Sequence, residues 1–123
     1  MTTDSVPKTA LVTQSGWSIG GIAKGAGMLA PALATMLVVI TTDADLPSEE
    51  LDQALRKATA MSFDRLDSDG CMSTNDTVTL MASGASGIRP EVADFVESLT
   101  KLCQDLALQL LADAEGADHE IHI

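Results

Sequence analysis

Thr35 is the residue in this chain best placed to do chemistry, because it stands where a loop rich in glycine and proline meets a hydrophobic run. The segment reads Lys24-Gly25-Ala26-Gly27-Met28-Leu29-Ala30-Pro31-Ala32-Leu33-Ala34 and then Thr35-Met36-Leu37-Val38. A threonine hydroxyl is a poor nucleophile at neutral pH until a base takes its proton, and a free α-amine on the same residue is such a base. A threonine that begins a chain therefore carries nucleophile and base together. Gly25 and Gly27 permit positive φ and the close approach of a ligand, and Pro31 disfavours a helix through the segment. Without further signal, the same residues are ordinary turn punctuation ahead of a buried strand.

Other patterns fit their chemistry less well. Gly25-Ala26-Gly27-Met28-Leu29-Ala30 has the G-x-G-x-x-A dinucleotide form, but Pro31 disfavours the helix that should follow, and a strand-like run comes instead. Lys24 follows Ala23 rather than the glycine of a phosphate loop, and no serine or threonine comes after it. Asp67-Ser68-Asp69-Gly70 with Asp76 looks like part of a calcium loop. Arg65, however, takes the place of the first acidic ligand and the closing glutamate is missing, so an aspartate-rich turn is expected. His119 and His122 alternate with acidic residues at the end of the chain, a pattern read as a solvated strand face rather than a metal site. No Ser-His-Asp arrangement is visible, and no metal or cofactor is expected.

Three further blocks accompany the stretch from Lys24 to Val38: Thr2-Thr3-Asp4, the run from Asp67 through Thr77, and Ala114-Glu115-Gly116-Ala117. In this order the four blocks resemble the ornithine acetyltransferase family of arginine biosynthesis, also called the bifunctional glutamate N-acetyltransferases. The resemblance implies self-cleavage between Ala34 and Thr35, so that residues 1–34 end an α chain and residues 35–123 begin a β chain. It implies that Thr35 takes the acetyl group of N2-acetylornithine as an ester and passes it to glutamate, with acetyl-CoA a further donor in bifunctional members. Lys24 then meets the substrate carboxylate, Glu115 meets its ammonium group, and Thr2 or Thr3 makes another substrate contact. A cation and a carboxylate on either side of a nucleophile suit a zwitterionic amino acid, because each buried charge gains a partner. The implied fold is an α/β layered sandwich of sheets between helices, and the implied assembly an α2β2 heterotetramer.

The match covers the middle of the family's chain, and the family's oxyanion-hole Thr-Gly pair is not among these residues. The 123 residues are therefore expected to be an incomplete piece, with Met1 an internal methionine, that cannot catalyse alone. The same nucleophile acting with water would instead make an aminopeptidase or amidohydrolase, and a third alternative is an inert fragment.

The elements that must position these residues are partly legible. Residues 8–23 read as short strands around a turn at Gln14-Ser15-Gly16, and Met36 to Thr42 as a buried strand. Pro47-Ser48-Glu49-Glu50 resembles a helix start with Ser48 as N-cap, followed by Leu51, Leu55 and Ala58 at helical spacing. Thr77 to Ala82 reads as another strand. Pro90 then opens a long helix whose apolar face is Val92, Phe95, Val96, Leu99, Leu102, Cys103, Leu106 and Leu110. His119 to Ile123 alternate as a final strand would, so the expected order from Met36 is strand, helix, strand, helix, strand.

Composition narrows the function classes. The chain has the length of one ordinary domain, and 46% hydrophobic content can supply a core. A net charge of −11 with only seven Lys and Arg argues against nucleic acid as a partner. No apolar run approaches the roughly 20 residues of a membrane span, and the start lacks a signal-peptide order, so a soluble cytoplasmic protein is expected. Cys71 and Cys103 make neither a disulfide framework nor a metal quartet, and Cys103 is expected in the core.

Overall fold

Gln14-Ser15-Gly16-Trp17 turns the first two β-prone runs back on each other. In the computed structural model, which describes residues 8–26, 35–68 and 75–121, β1 (Lys8–Thr13) and β2 (Ser18–Ala26) pair antiparallel from Thr13↔Ser18 to Lys8↔Ala23. Gln14 N donates to Trp17 O at 2.8 Å. Gly16 takes a φ of 86°, and a Cβ there would overlap Ile88 Cδ1. β3 (Thr35–Thr42) joins β2 antiparallel, and β4 (Asn75–Ala82) joins β3 parallel, giving the sheet order β1-β2-β3-β4. A parallel pair needs a crossover connection, and this one contains α1 (Ser48–Ala60) and α2 (Phe63–Ser68). α3 (Val92–Ile121) is the last element described.

The helices cover one face of this sheet. α3 lies over β1 and β2, where a Cβ on Gly21 would sit 3.0 Å from Leu102 Cδ2 and 3.1 Å from Leu106 Cδ1. Phe95, Leu99, Leu102, Cys103, Leu106 and Leu110 are fully buried, the apolar face expected from their spacing, while Val92 and Val96 are partly covered. α1 packs beside α3 through Ala54 and Ala58, and Phe63 of α2 joins the same core as Met36, Val38 and Ile40 of β3. Trp17 at the hairpin meets Phe95 near the start of α3, with ring centroids 5.7 Å apart.

Several expectations need correction. β3 was expected to be buried as a run, yet only its even positions are: Leu37 is 50% exposed, because a strand turns alternate residues to opposite faces and the helices cover one face. Ser48 is the first residue of α1 rather than its cap. Pro47 holds the cap position at φ −68° and ψ 156°, with no side-chain cap bond, and its carbonyl accepts from Leu51 N at 3.1 Å. Pro90 precedes α3 by two residues, and Phe95 N donates to Glu91 O at 3.0 Å. α2 was not anticipated, and it takes in Asp67 and Ser68 of the supposed aspartate turn; Asp69, Gly70 and Cys71 lie outside the described residues.

The final strand is replaced by helix. α3 continues through His119 to Ile121, while His122 and Ile123 lie outside the described residues. The alternation there spans five residues, whereas Ala112 to Glu120 extend an already formed helix with alanine and glutamate, both good helix formers, and elongation needs no new nucleus. Among the described residues the architecture is a mixed α/β layer pair: a four-stranded sheet with helices on one face.

Candidate active site at one end of the central strands

Thr35 opens β3, and its backbone has a partner on each side: Ala26 across the antiparallel ladder and Asn75 across the parallel one. Lys24 pairs with Leu37, two residues further along β3. With strands about 4.8 Å apart and a rise of about 3.3 Å per residue, the Lys24 and Thr35 Cα atoms are about 8 Å apart. Ala23 is buried beneath the helices, and Lys24 is exposed on the opposite face. Ala34, Thr2 and Thr3 lie outside the described residues.

Glu115 belongs to α3, whose contacts show which way it travels. Gln14 Nε2 donates to Ser98 Oγ at 3.0 Å beside the hairpin turn, Leu102 and Leu106 pass over Gly21, and Gln109 Nε2 donates to Thr9 O at 2.9 Å. The helix thus advances from the hairpin towards the end of the sheet where β3 begins. Six residues beyond Gln109, the Glu115 backbone is about 9 Å further along the axis. Lys24 and Thr35 are therefore brought together on adjacent strands, whereas Glu115 reaches the same end of the sheet on the helical layer, behind the face that carries Lys24.

The opposite end of β3 is pinned by side chains. Thr42 Oγ1 donates to Ser18 O at 2.7 Å, and Asp43 Oδ1 accepts from Ser18 N at 2.8 Å. Ser86 Oγ donates to Asp43 O at 2.6 Å, and Ser83 N donates to Thr42 O at 3.0 Å. Buried Thr42 is satisfied in this way, and the register of β3 is fixed against both neighbours. Since Thr35 is the other end of the same strand, this lock also sets its position.

The open face of the sheet escaped sequence reasoning. It carries Leu11 at 69%, Ile22 at 42% and Met81 at 51% exposure besides Leu37. The alternation within β3 was the signal, masked by a run in which both faces are apolar. Cys103 is an inert core residue as expected: burial pushes its thiol up to about 12, against a smaller opposing effect of a hydrogen bond from Ser62. Among the described residues no group of three or more His, Cys, Asp or Glu could hold a metal ion, and no helix is long and apolar enough to cross a membrane.

Comparison with known proteins adds a family. The family model described as ArgJ matches residues 1–123. The "Arginine biosynthesis bifunctional protein ArgJ" of Streptomyces coelicolor is 64% identical over 99% of this chain and 32% of its own length. Its namesake in Thermobifida fusca is also 64% identical, again over 99% of this chain and 32% of the relative. The Mycobacterium leprae protein of the same name is 60% identical over 100% of this chain and 30% of the relative. The chain spans about a third of the length of the curated relatives it matches.

Proposed function

Because the chain belongs to the ArgJ family, whose relatives are named bifunctional proteins of arginine biosynthesis, we propose that the full-length protein transfers an acetyl group from N2-acetylornithine to glutamate through an ester on Thr35. The observation that carries this reading is the seat of Thr35 as the opening residue of an inner strand, with a partner on each side and Lys24 one strand away.

The Ala34–Thr35 bond is cut first, leaving residues 1–34 at the end of an α chain and residues 35–123 at the start of a β chain. The released α-amine of Thr35 takes the hydroxyl proton as Oγ attacks the acetyl carbonyl. The bond from that carbonyl to the ornithine nitrogen breaks, and the proton passes to the leaving amine. The amine of glutamate then attacks the ester, N-acetylglutamate departs, and Oγ regains its proton. Lys24 holds the substrate carboxylate, Glu115 its ammonium group, and Thr2 or Thr3 a further polar group. Acetyl-CoA is the second donor of a bifunctional form.

An apolar sheet face that carries no helix among the described residues supports a layered sandwich in which other segments of the longer protein cover that face. Pairs of α and β chains then assemble as α2β2 in the cytoplasm. Intact mass and N-terminal sequencing of the full-length protein provide the test. A β chain beginning at Thr35 is expected; a single uncut chain, or a different N-terminus, would sink the nucleophile assignment. Thr35→Ala should block cutting and turnover together, and Thr35→Ser should retain part of both.

A further inference from the structure

We propose that Leu37 is the floor on which the substrate's carbon chain rests, which makes it a specificity-determining residue of the Thr35 site. This rests on the acetyl-transfer reading above. Leu37 is half exposed on the face that the helices leave open, in a row whose other members are Lys24 on β2 and Thr77 on β4. Lys24 and Thr77 are exposed as well. One apolar side chain is thus bracketed by a cation and a hydroxyl, each about 4.8 Å away across the sheet, with Thr35 about 7 Å back along the same strand. The carboxylate end of a small zwitterion with a methylene chain matches that arrangement: its carboxylate at Lys24, its first methylenes over Leu37 and its acyl group towards Thr35, the ammonium end passing over the end of the strands towards the helical layer that carries Glu115. Ligand sites commonly combine an apolar lining with a few placed polar groups in this way.

Distance separates Leu37 from the other apolar residues of the face. Ile22 pairs with Val39, while Leu11 pairs with Gly20, which pairs with Thr41, itself opposite Met81. Those rows lie about 13 and 20 Å from Thr35 along β3, beyond the span of one amino acid. Their apolar side chains therefore belong to the surface that other segments of the longer protein cover, and of the exposed apolar residues described on this face Leu37 is the one beside the site.

The test uses the full-length protein with Leu37→Ala and Leu37→Met. For each, kcat and KM are measured for N2-acetylornithine and for its homologue with one fewer side-chain methylene, alongside chain cutting and thermal midpoint. All forms should be cut at Thr35. Leu37→Ala should reduce the preference for the longer donor by about tenfold, mainly through KM, because one methylene in an apolar pocket is worth at least that much. Leu37→Met, close in volume, should keep most of the preference. An unchanged ratio in cut Leu37→Ala overturns the proposal. So does a variant that loses cutting, or that loses thermal stability and both activities in equal proportion, since Leu37 then packs against protein instead of substrate. If the wild-type protein is uncut or leaves N2-acetylornithine untouched, the Thr35 reading fails and this proposal with it.

Discussion

Lys24 offers the plainest charge test at the scale of single residues. If it meets the substrate carboxylate in the complete site, Lys24→Ala should lower kcat/KM for N2-acetylornithine by roughly thirtyfold or more, equivalent to a loss of at least about 2 kcal/mol. Chain cutting should be unaffected, and kinetics equal to wild type would remove Lys24 from the site. Cys103 makes a different prediction. Its thiol titrates at about 12 in the fold against 9.0 for an ordinary thiol, chiefly because burial disfavours the thiolate. Below pH 9 the thiol is protonated in both states, and the stability tied to it is fully present. As pH rises from 9 to 12 the unfolded chain sheds this proton while the folded chain keeps it, so stability declines by up to about 1.4 kcal/mol per pH unit. Denaturant melts of the full-length protein should fall more steeply over that window in wild type than in Cys103→Ala. Parallel curves would show that the thiol does not resist ionisation. Thr35 and Lys24 drew notice in the sequence because they sit inside family-like blocks, and the register places them on adjacent strands. The exposure of Leu37 on the same face was not legible, since nothing in an unbroken apolar run says which of its two faces will be left uncovered.

Gly21 governs the closest approach between elements. The Leu102 and Leu106 methyls lie where its Cβ would make very tight contacts. Gly21→Val should push α3 away from β2 and destabilise the fold by about 1 to 3 kcal/mol, an overpacking cost that a lowered midpoint in chemical denaturation would register. No change would mean that α3 can shift without loss. Legibility at this scale followed periodicity. The α3 face from Phe95 to Leu110 repeats often enough to stand out, and the hairpin is marked by Gly16 between two β-prone runs. α2 is six residues long, less than two full turns, so no period could reveal it. At His119 to Ile121 a short alternation gave the wrong element, because helix already in progress outweighs a local pattern. The pairing order of the strands, and the parallel sense of β3 with β4, have no local signature at all.

For the molecule as a whole, the open sheet face decides behaviour outside the longer protein. Leu11, Ile22, Leu37 and Met81 stand on it exposed, with no helix above them among the described residues. The 123 residues expressed alone should show no acetyl transfer and should self-associate, despite a net charge of −11 that opposes association. The final strand expected from the sequence plays no part in this, since the last residues described are helix; the apolar sheet face drives it. Sedimentation across a concentration series is the measurement, and a monomeric, active preparation would refute the expectation. The pairing of Ala26 with Thr35 reaches beyond this. Eight register pairs, from Ile19↔Thr42 to Ala26↔Thr35, hold β2 to β3, and none of them depends on a covalent link through residue 34. A polypeptide ending there could be supplied by a separate cistron and would zip onto β3 as an added strand does onto an open edge, with α3 closing over it. Full-length protein divided between codons 34 and 35 should thus reassemble in trans, and an arginine auxotroph carrying the two halves should grow although no Ala34–Thr35 bond was ever formed, provided that the initiator methionine placed ahead of Thr35 is removed to free its α-amine.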